Sequence, residues 1–300
     1  MMLIHVLWIL TTLFAAAAQT ARNAMQRKLV AEIGTLGATQ VRFLYGFPFS
    51  ILFLLLVLTV GGETIPTISR SFLIYVSAGA VSQIAATALM LRTMKDKSFS
   101  VTTAYTKTEP VQVALVGLVL LGDHLSLTMA IAIIIATIGV MLMAIKKGDA
   151  LTAAGLRPAL FGVAAGGFFA LSAVAFRGAI IGLGDQSFVL RATTTLVWSL
   201  GIQTLLLMIY MVGFDRKALL GSLKAWRSSI FAGFMGAFAS QLWFIGFSLT
   251  SAAHVRTLGL VEVLFAQVVT RKVLIESVSR REWFGMSLVV IGVGMLLLIG

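Results

Sequence analysis

Long apolar runs recur along the whole chain, separated by short polar breaks. They cover residues 2–21, 36–60, 72–91, 99–121, 127–145, 158–180, 188–212, 229–249, 252–270 and 283–299. The breaks carry Gly61-Gly62, Lys95-Asp96-Lys97, Gly122-Asp123, Lys146-Lys147-Gly148, Gly182 with Gly184, and Asp215-Arg216-Lys217. One helical crossing of a bilayer needs roughly 20 apolar residues. In lipid a spanning segment must satisfy its own backbone polar groups, which an α-helix does. The pattern predicts ten transmembrane helices joined by short loops, with no soluble domain between them. Small residues inside the runs, such as Gly162 with Gly166 and Gly233 with Gly236, predict close helix packing.

Composition agrees with that pattern. Of 300 residues, 59% are hydrophobic and 11% charged, and the mean hydropathy is +1.01. Soluble domains carry roughly 25% charged residues. With no cysteine there is neither a disulfide framework nor thiolate chemistry. The net charge of +12 does not point to nucleic acid, because the basic residues flank apolar runs instead of forming a stripe. The first run, Leu3 to Ala18, ends in alanines as a secretory signal does, but no Lys or Arg precedes it. It is expected to remain as the first helix.

The chain also matches itself. At an offset of 153 positions Glu109 falls on Glu262, Asp123 on Glu276 and Gly139 on Gly292; nearby offsets pair Arg22 with Arg177 and Arg42 with Arg191. Matches in order, at similar depths, indicate a duplicated unit. The expected division is a first five-helix repeat over 1–147 and a second over 154–300. A five-helix unit crosses an odd number of times, so its copy must be inverted. Charge supports this: alternate loops hold 17 of the 23 Lys and Arg residues, and the bias reverses between equivalent loops of the two halves. The positive-inside rule then places both termini outside the cytoplasm, and the expected location is the inner (plasma) membrane of a bacterium.

The doubled unit and the segments Glu109-Pro110-Val111 through Leu121-Gly122-Asp123-His124-Leu125-Ser126 resemble the EamA-type branch of the drug/metabolite transporter superfamily. Gly139 in the fifth helix, the degenerate Ile275-Glu276-Ser277-Val278-Ser279 followed by Gly292, and Arg42 and Arg191 early in the second helix of each unit carry the same resemblance. It implies an all-α fold of ten helices in two inverted repeats and export of a small metabolite, amino acid or drug. Many members of that family have cytoplasmic termini, whereas the charge count here argues the opposite.

Ionisable residues inside a membrane cost on the order of 2.5–3.5 kcal/mol by insertion scales, which makes them functional candidates. Glu109 and Glu262, near the centres of spans 4 and 9, are expected at the midplane site or in ion pairs with neighbouring arginines. Lys107, two residues from Glu109, points elsewhere on a helix; it is expected to face an aqueous cavity and attract an anionic group, or to pair with an acidic residue. Gln83 and Gln241 are mid-span hydrogen-bonding candidates, with Gln19 and Asn23 behind them. Tyr105 and Trp243 are candidates for an aromatic wall against a ligand cation. Arg42 and Arg191 read as snorkelling residues, as the cavity mouth or as ion-pair partners, and Arg22, Arg177, His254 and Arg256 as interfacial. Trp8, Trp226 and Trp283 read as interface anchors. His5, His124 and His254 show no metal-ligand spacing. There is no Walker lysine loop. No cofactor is expected, and an ion or substrate gradient would drive the transport. The expected partners are a small-molecule substrate, membrane lipid and a proton or counter-substrate; two fused repeats allow a monomer to suffice. The alternatives are an antiporter of anionic or phosphorylated metabolites, and a non-transporting membrane protein.

Overall fold

The computed structural model describes residues 2–96, 102, 105–144, 153–265 and 280–299, all in helices, turns and short connections, with no strand among them. The helices are α1 (Met2–Leu44), α2 (Phe47–Gly61), α3 (Arg70–Asp96), α4 (Glu109–Leu121), α5 (Leu127–Ala144), α6 (Ala153–Ile181), α7 (Phe188–Phe214), α8 (Arg216–Lys224), α9 (Trp226–Leu249), α10 (Ala252–Leu258) and α11 (Arg280–Ile299). Among the described residues six helical stretches are long and apolar enough to cross a membrane, and two shorter apolar helices, Glu109–Leu121 and Leu127–Met143, lie between them.

The first stretch, Ile4–Gly61, has 58 residues. As a straight helix it would be roughly 87 Å long, nearly three times the apolar thickness of a bilayer. It bends at Gly34, whose φ of 73° and ψ of 174° lie outside the helical range. Only glycine takes that conformation without steric cost. Gln26 Nε2 donates to the Ala38 carbonyl at 2.9 Å and ties the two limbs together across the bend. The predicted gap between spans 1 and 2 is thus a sharp bend within helical structure. The second limb breaks again at Tyr45-Gly46, before Pro48 in the first turn of α2.

The predicted break at Asp215-Arg216-Lys217 contains a further short helix, α8. Asp215 caps it by accepting from the Ala218 amide at 3.0 Å, which satisfies one of the orphan donors of the first turn. Two predicted spans are interrupted. In span 4 a turn at Lys107-Thr108 precedes α4, and in span 9 a turn at Gly259-Leu260 follows α10 before helix resumes at 261–265. The Ile275–Ser279 segment with Glu276, and the loop residues Lys97, Lys146, Lys147, Arg271 and Lys272, lie outside the described residues.

The closest packing joins the two halves of the chain: α1 runs along α9, α3 along α6, α5 along α11, and α2 against α7. The α5–α11 contact shows why small residues are required there. A Cβ added to Gly139 would stand 2.6 Å from the Gly285 carbonyl oxygen, and one added to Gly292 would stand 2.6 Å from that of Ala132. Both distances are shorter than any real contact, so the backbones touch directly, as small-residue packing in lipid allows.

Candidate functional site

Each interrupted helix sets a carboxylate just past its break. Glu109 lies in the first turn of α4, followed by Pro110, which has no N–H to leave unsatisfied. Glu262 follows the Gly259-Leu260 turn, with its amide donating to the Gly259 carbonyl at 3.0 Å. Irregular backbone at membrane depth persists only when it is buried in protein or lines a cavity. Here it does both: Glu109 and Glu262 are buried and line one cavity.

Each carboxylate meets a cation from the other half of the chain. Lys107 Nζ donates to Glu262 Oε2 at 2.5 Å. Arg256 Nε lies 3.0 Å from Glu109 Oε1, without a hydrogen aimed at the oxygen. Glu262 is held more fully. Gln19 Nε2 donates to its Oε2 at 2.8 Å and Asn23 Nδ2 to its Oε1 at 3.1 Å. Trp243 Nε1 donates to Gln19 Oε1 at 3.0 Å, which fixes the orientation of that amide. The guanidinium of Arg256 stacks over the Trp243 ring, 4.5 Å from its centre. A buried charge is costly unless it is paired and hydrogen-bonded, and this network meets that need for Glu262.

Two more arginines enter the same cavity. Arg22 is 1% exposed and Arg42 2%. Arg22 donates through Nε and Nη2 to Asn23 Oδ1, at 3.2 and 2.7 Å. Arg42 donates through Nη1 to Thr87 Oγ1 at 3.0 Å. Gln83, Met90, Thr106, Phe169, Ser240 and Phe244 complete the wall. The cavity holds about 20 Å³, which is room for about one water molecule. A metabolite fits only if the surrounding helices separate.

A model of the EamA-like transporter family matches the chain twice, over residues 4–145 and 156–298. The chain belongs to the EamA-like transporter family. It is therefore a transporter-type integral membrane protein, as the resemblance in its sequence implied. Among 28 matching solved chains is a crystal structure with a TM-score of 0.67 and 13% identity, covering 96% of both chains. At that identity the likeness establishes the fold alone. Comparison with curated proteins gives no match.

Within this EamA-like fold, six of the nine predicted site residues meet at the cavity: Glu109, Glu262, Lys107, Gln83, Trp243 and Arg42. Lys107 does not point away from Glu109, because the turn at Lys107-Thr108 cancels the helical spacing on which that expectation rested. The Trp243 ring face carries the protein's own Arg256, so it is not a bare wall for a ligand cation. Gln83 Oε1 accepts from Gln203 Nε2 at 2.8 Å. Gln241 instead donates to Thr193 Oγ1 at 2.8 Å, off the cavity. Tyr105 packs against Gly162, where an added Cβ would meet its own Cβ at 2.4 Å. Arg42 is neither a snorkelling residue nor a rim residue but part of the cavity wall. Arg191 is outside it, and donates through Nη1 to the Gly184 carbonyl at 3.3 Å.

Sequence reasoning missed Arg22 and Arg256 as site residues, placing both at the interface. A signal for Arg22 was available: Gln19, Arg22, Asn23 and Gln26 recur at the spacing of one helix face. Trp8 is also not an interface anchor but buried, with its ring edge-on to His5 and His254. Trp226 and Trp283 are exposed, as anchors should be.

A second set of links joins the halves at the helix ends. Arg177 donates through Nη1 to Asp123 Oδ1 at 2.7 Å and through Nε to the Thr250 carbonyl at 3.1 Å. Glu63 accepts from the Ser187 hydroxyl at 2.6 Å and from its amide at 3.1 Å. Arg177 is therefore a crosslink between α6, the end of α4 and the end of α9, and not a free interfacial residue.

Proposed function

We propose that the chain is a secondary transporter that moves a small solute by alternating access, with its central site between two inverted five-helix repeats near 1–147 and 154–300. One observation carries the reading. Buried ion pairs between the halves, Lys107 with Glu262 and Arg256 with Glu109, sit beside helix breaks around one small cavity. Discontinuous helices at the repeat interface are how such carriers make a midplane site. Pairs of this kind hold the two halves to each other around the site as the halves rock.

The packing of the halves supports the inverted repeat. The α1–α9 contact is the counterpart of α6–α3 under exchange of the halves, and α5–α11 and α2–α7 are their own counterparts. The links from Arg177 to Asp123 and from Glu63 to Ser187 close one end of the bundle. By the positive-inside rule that end, which holds few basic residues, faces away from the cytoplasm. Outward movement from a bacterial cytoplasm is the direction that the family resemblance implies.

The test is flux into liposomes containing the purified protein, measured for labelled solutes with and without the same solute inside. Saturable uptake stimulated by internal solute, and lost in Glu262→Gln, is the expected outcome. The reading fails if no solute of any charge class crosses faster than through protein-free liposomes.

A further inference from the structure

Among the described residues, the cavity holds more positive charge than negative. Arg22, Arg42, Lys107 and Arg256 line it, against two carboxylates, Glu109 and Glu262. Each carboxylate already has its own cation. Among the described residues no carboxylate pairs with Arg22 or Arg42. Both keep nitrogens without an acceptor: Nη1 of Arg22 and Nε of Arg42.

Gly236 brings these two arginines together. A Cβ at Gly236 would stand 3.3 Å from Arg22 Cδ and 3.4 Å from Arg42 Cγ. The two side chains thus cross the same bare patch of α9 on their way into one cavity. A guanidinium keeps its charge when buried, because its pKa is too high to be relieved by deprotonation. Two unpaired guanidiniums out of water oppose folding of the empty protein. Their planar donor forks match carboxylate and phosphoryl oxygens.

We propose that Arg22 and Arg42 seat the anionic head, a carboxylate or phosphoryl group, of a small organic anion. This proposal rests on the transport reading above and names its substrate class. The anion supplies the counter-charge that the described cavity wall lacks, and the remaining donors of both arginines become satisfied. A cationic solute meets two uncompensated positive charges and is rejected. Lys107 and Arg256 stay with their carboxylates, so they bridge the halves and do not compete for the anion. Because the cavity admits about one water molecule, binding requires the bundle to open on one side.

The experiment uses the full-length protein in a maltoside detergent that carries no phosphate. Thermal unfolding is followed with succinate, glutamate, 3-phosphoglycerate, leucine, agmatine or phosphatidylglycerol. The same water-soluble solutes are then tested for counterflow in phosphatidylcholine liposomes. At least one organic anion should raise the unfolding temperature of the wild type, while leucine and agmatine do not. In Arg22→Gln and Arg42→Gln the anion affinity should fall about 10- to 100-fold, the range for losing a hydrogen bond to a charged group. The empty variants should unfold at the same temperature as the wild type or higher, since a costly buried charge has gone. A purely structural arginine would give the opposite shift.

Arg42→Lys serves as the second variant: it keeps the charge, loses the fork, and should weaken anion binding less than Arg42→Gln. The proposal is overturned if leucine or agmatine exchanges across the liposomes with no effect of anions, and the transport reading then stands. It is also overturned if stabilisation comes from phosphatidylglycerol alone, or if the variants bind anions as the wild type does. Anion binding lost in the variants, but with no flux of any solute, would keep the arginine site and remove the transport reading.

Discussion

Lys107 and Glu262 are 155 positions apart in the chain and meet at 2.5 Å inside the bundle. Gln19 and Asn23 donate to the same carboxylate, so Glu262 is satisfied from three sides. The Glu109–Arg256 pair at 3.0 Å has no aligned hydrogen bond. The two pairs are therefore unequal, although both join the halves of the chain.

That inequality predicts a ranking. Glu262→Met leaves Lys107 buried without a counter-charge, which costs about 3–5 kcal/mol. Glu109→Gln should cost less, because a poorly aligned partner is lost and Arg256 keeps the Trp243 ring beneath it. Thermal unfolding in detergent measures both. In the double variant Lys107→Met with Glu262→Met, stability should recover toward the wild type while solute flux stays at background. Recovery of flux in that variant would show that the pair is only a structural link.

The link at the helix ends predicts a shift between conformations. Asp123→Asn removes the charge that holds Arg177. Because the chain has no cysteine, Ala253→Cys can report on this end alone; Ala253 is buried beside Thr250 and His254. Labelling of that cysteine by a membrane-impermeant maleimide should be faster with Asp123→Asn than without it. Equal labelling rates would mean that the ion pair does not hold this end closed.

Glycine positions on one helix predict opposite results. Gly285→Ala places a Cβ 2.5 Å from the Gly139 carbonyl oxygen and 2.6 Å from Met143 Cγ. The α5–α11 contact must then spread, at a cost of about 1–3 kcal/mol. Gly294, on the same helix, has nothing within 4 Å of an added Cβ. Gly294→Ala should be neutral or stabilise by up to about 1 kcal/mol, since alanine is the better helix former. Comparison of the unfolding temperatures of the two variants tests whether direct backbone contact holds these helices.

Trp243 has two roles that substitution can separate. Trp243→Phe keeps a ring face for Arg256 but loses the Nε1 donor to Gln19. Trp243→Leu loses both, and removal of the ring from a desolvated cation costs about 2 kcal/mol more. Flux should fall in the order wild type, Phe, Leu. If Phe and Leu behave alike, the hydrogen bond to Gln19 is the role that matters.

The sequence by itself determined that this is an all-helical membrane protein of the EamA-like family. Hydropathy is a local property: runs of about twenty apolar residues announce crossings whatever their neighbours are. It also marked Glu109 and Glu262, because a carboxylate in such a run stands out from its surroundings. What it left open depended on where helices break and what packs beside them. The turn at Lys107-Thr108 made Lys107 and Glu109 cavity neighbours, although two-residue spacing on a helix would have separated them. The packing of α1 on α9 buried Arg22 and Arg42, whose long side chains the sequence alone allowed to snorkel to the membrane surface. The tertiary structure decided the partners, because both ion pairs at the cavity join residues from opposite halves of the chain, and no local window of sequence contains both.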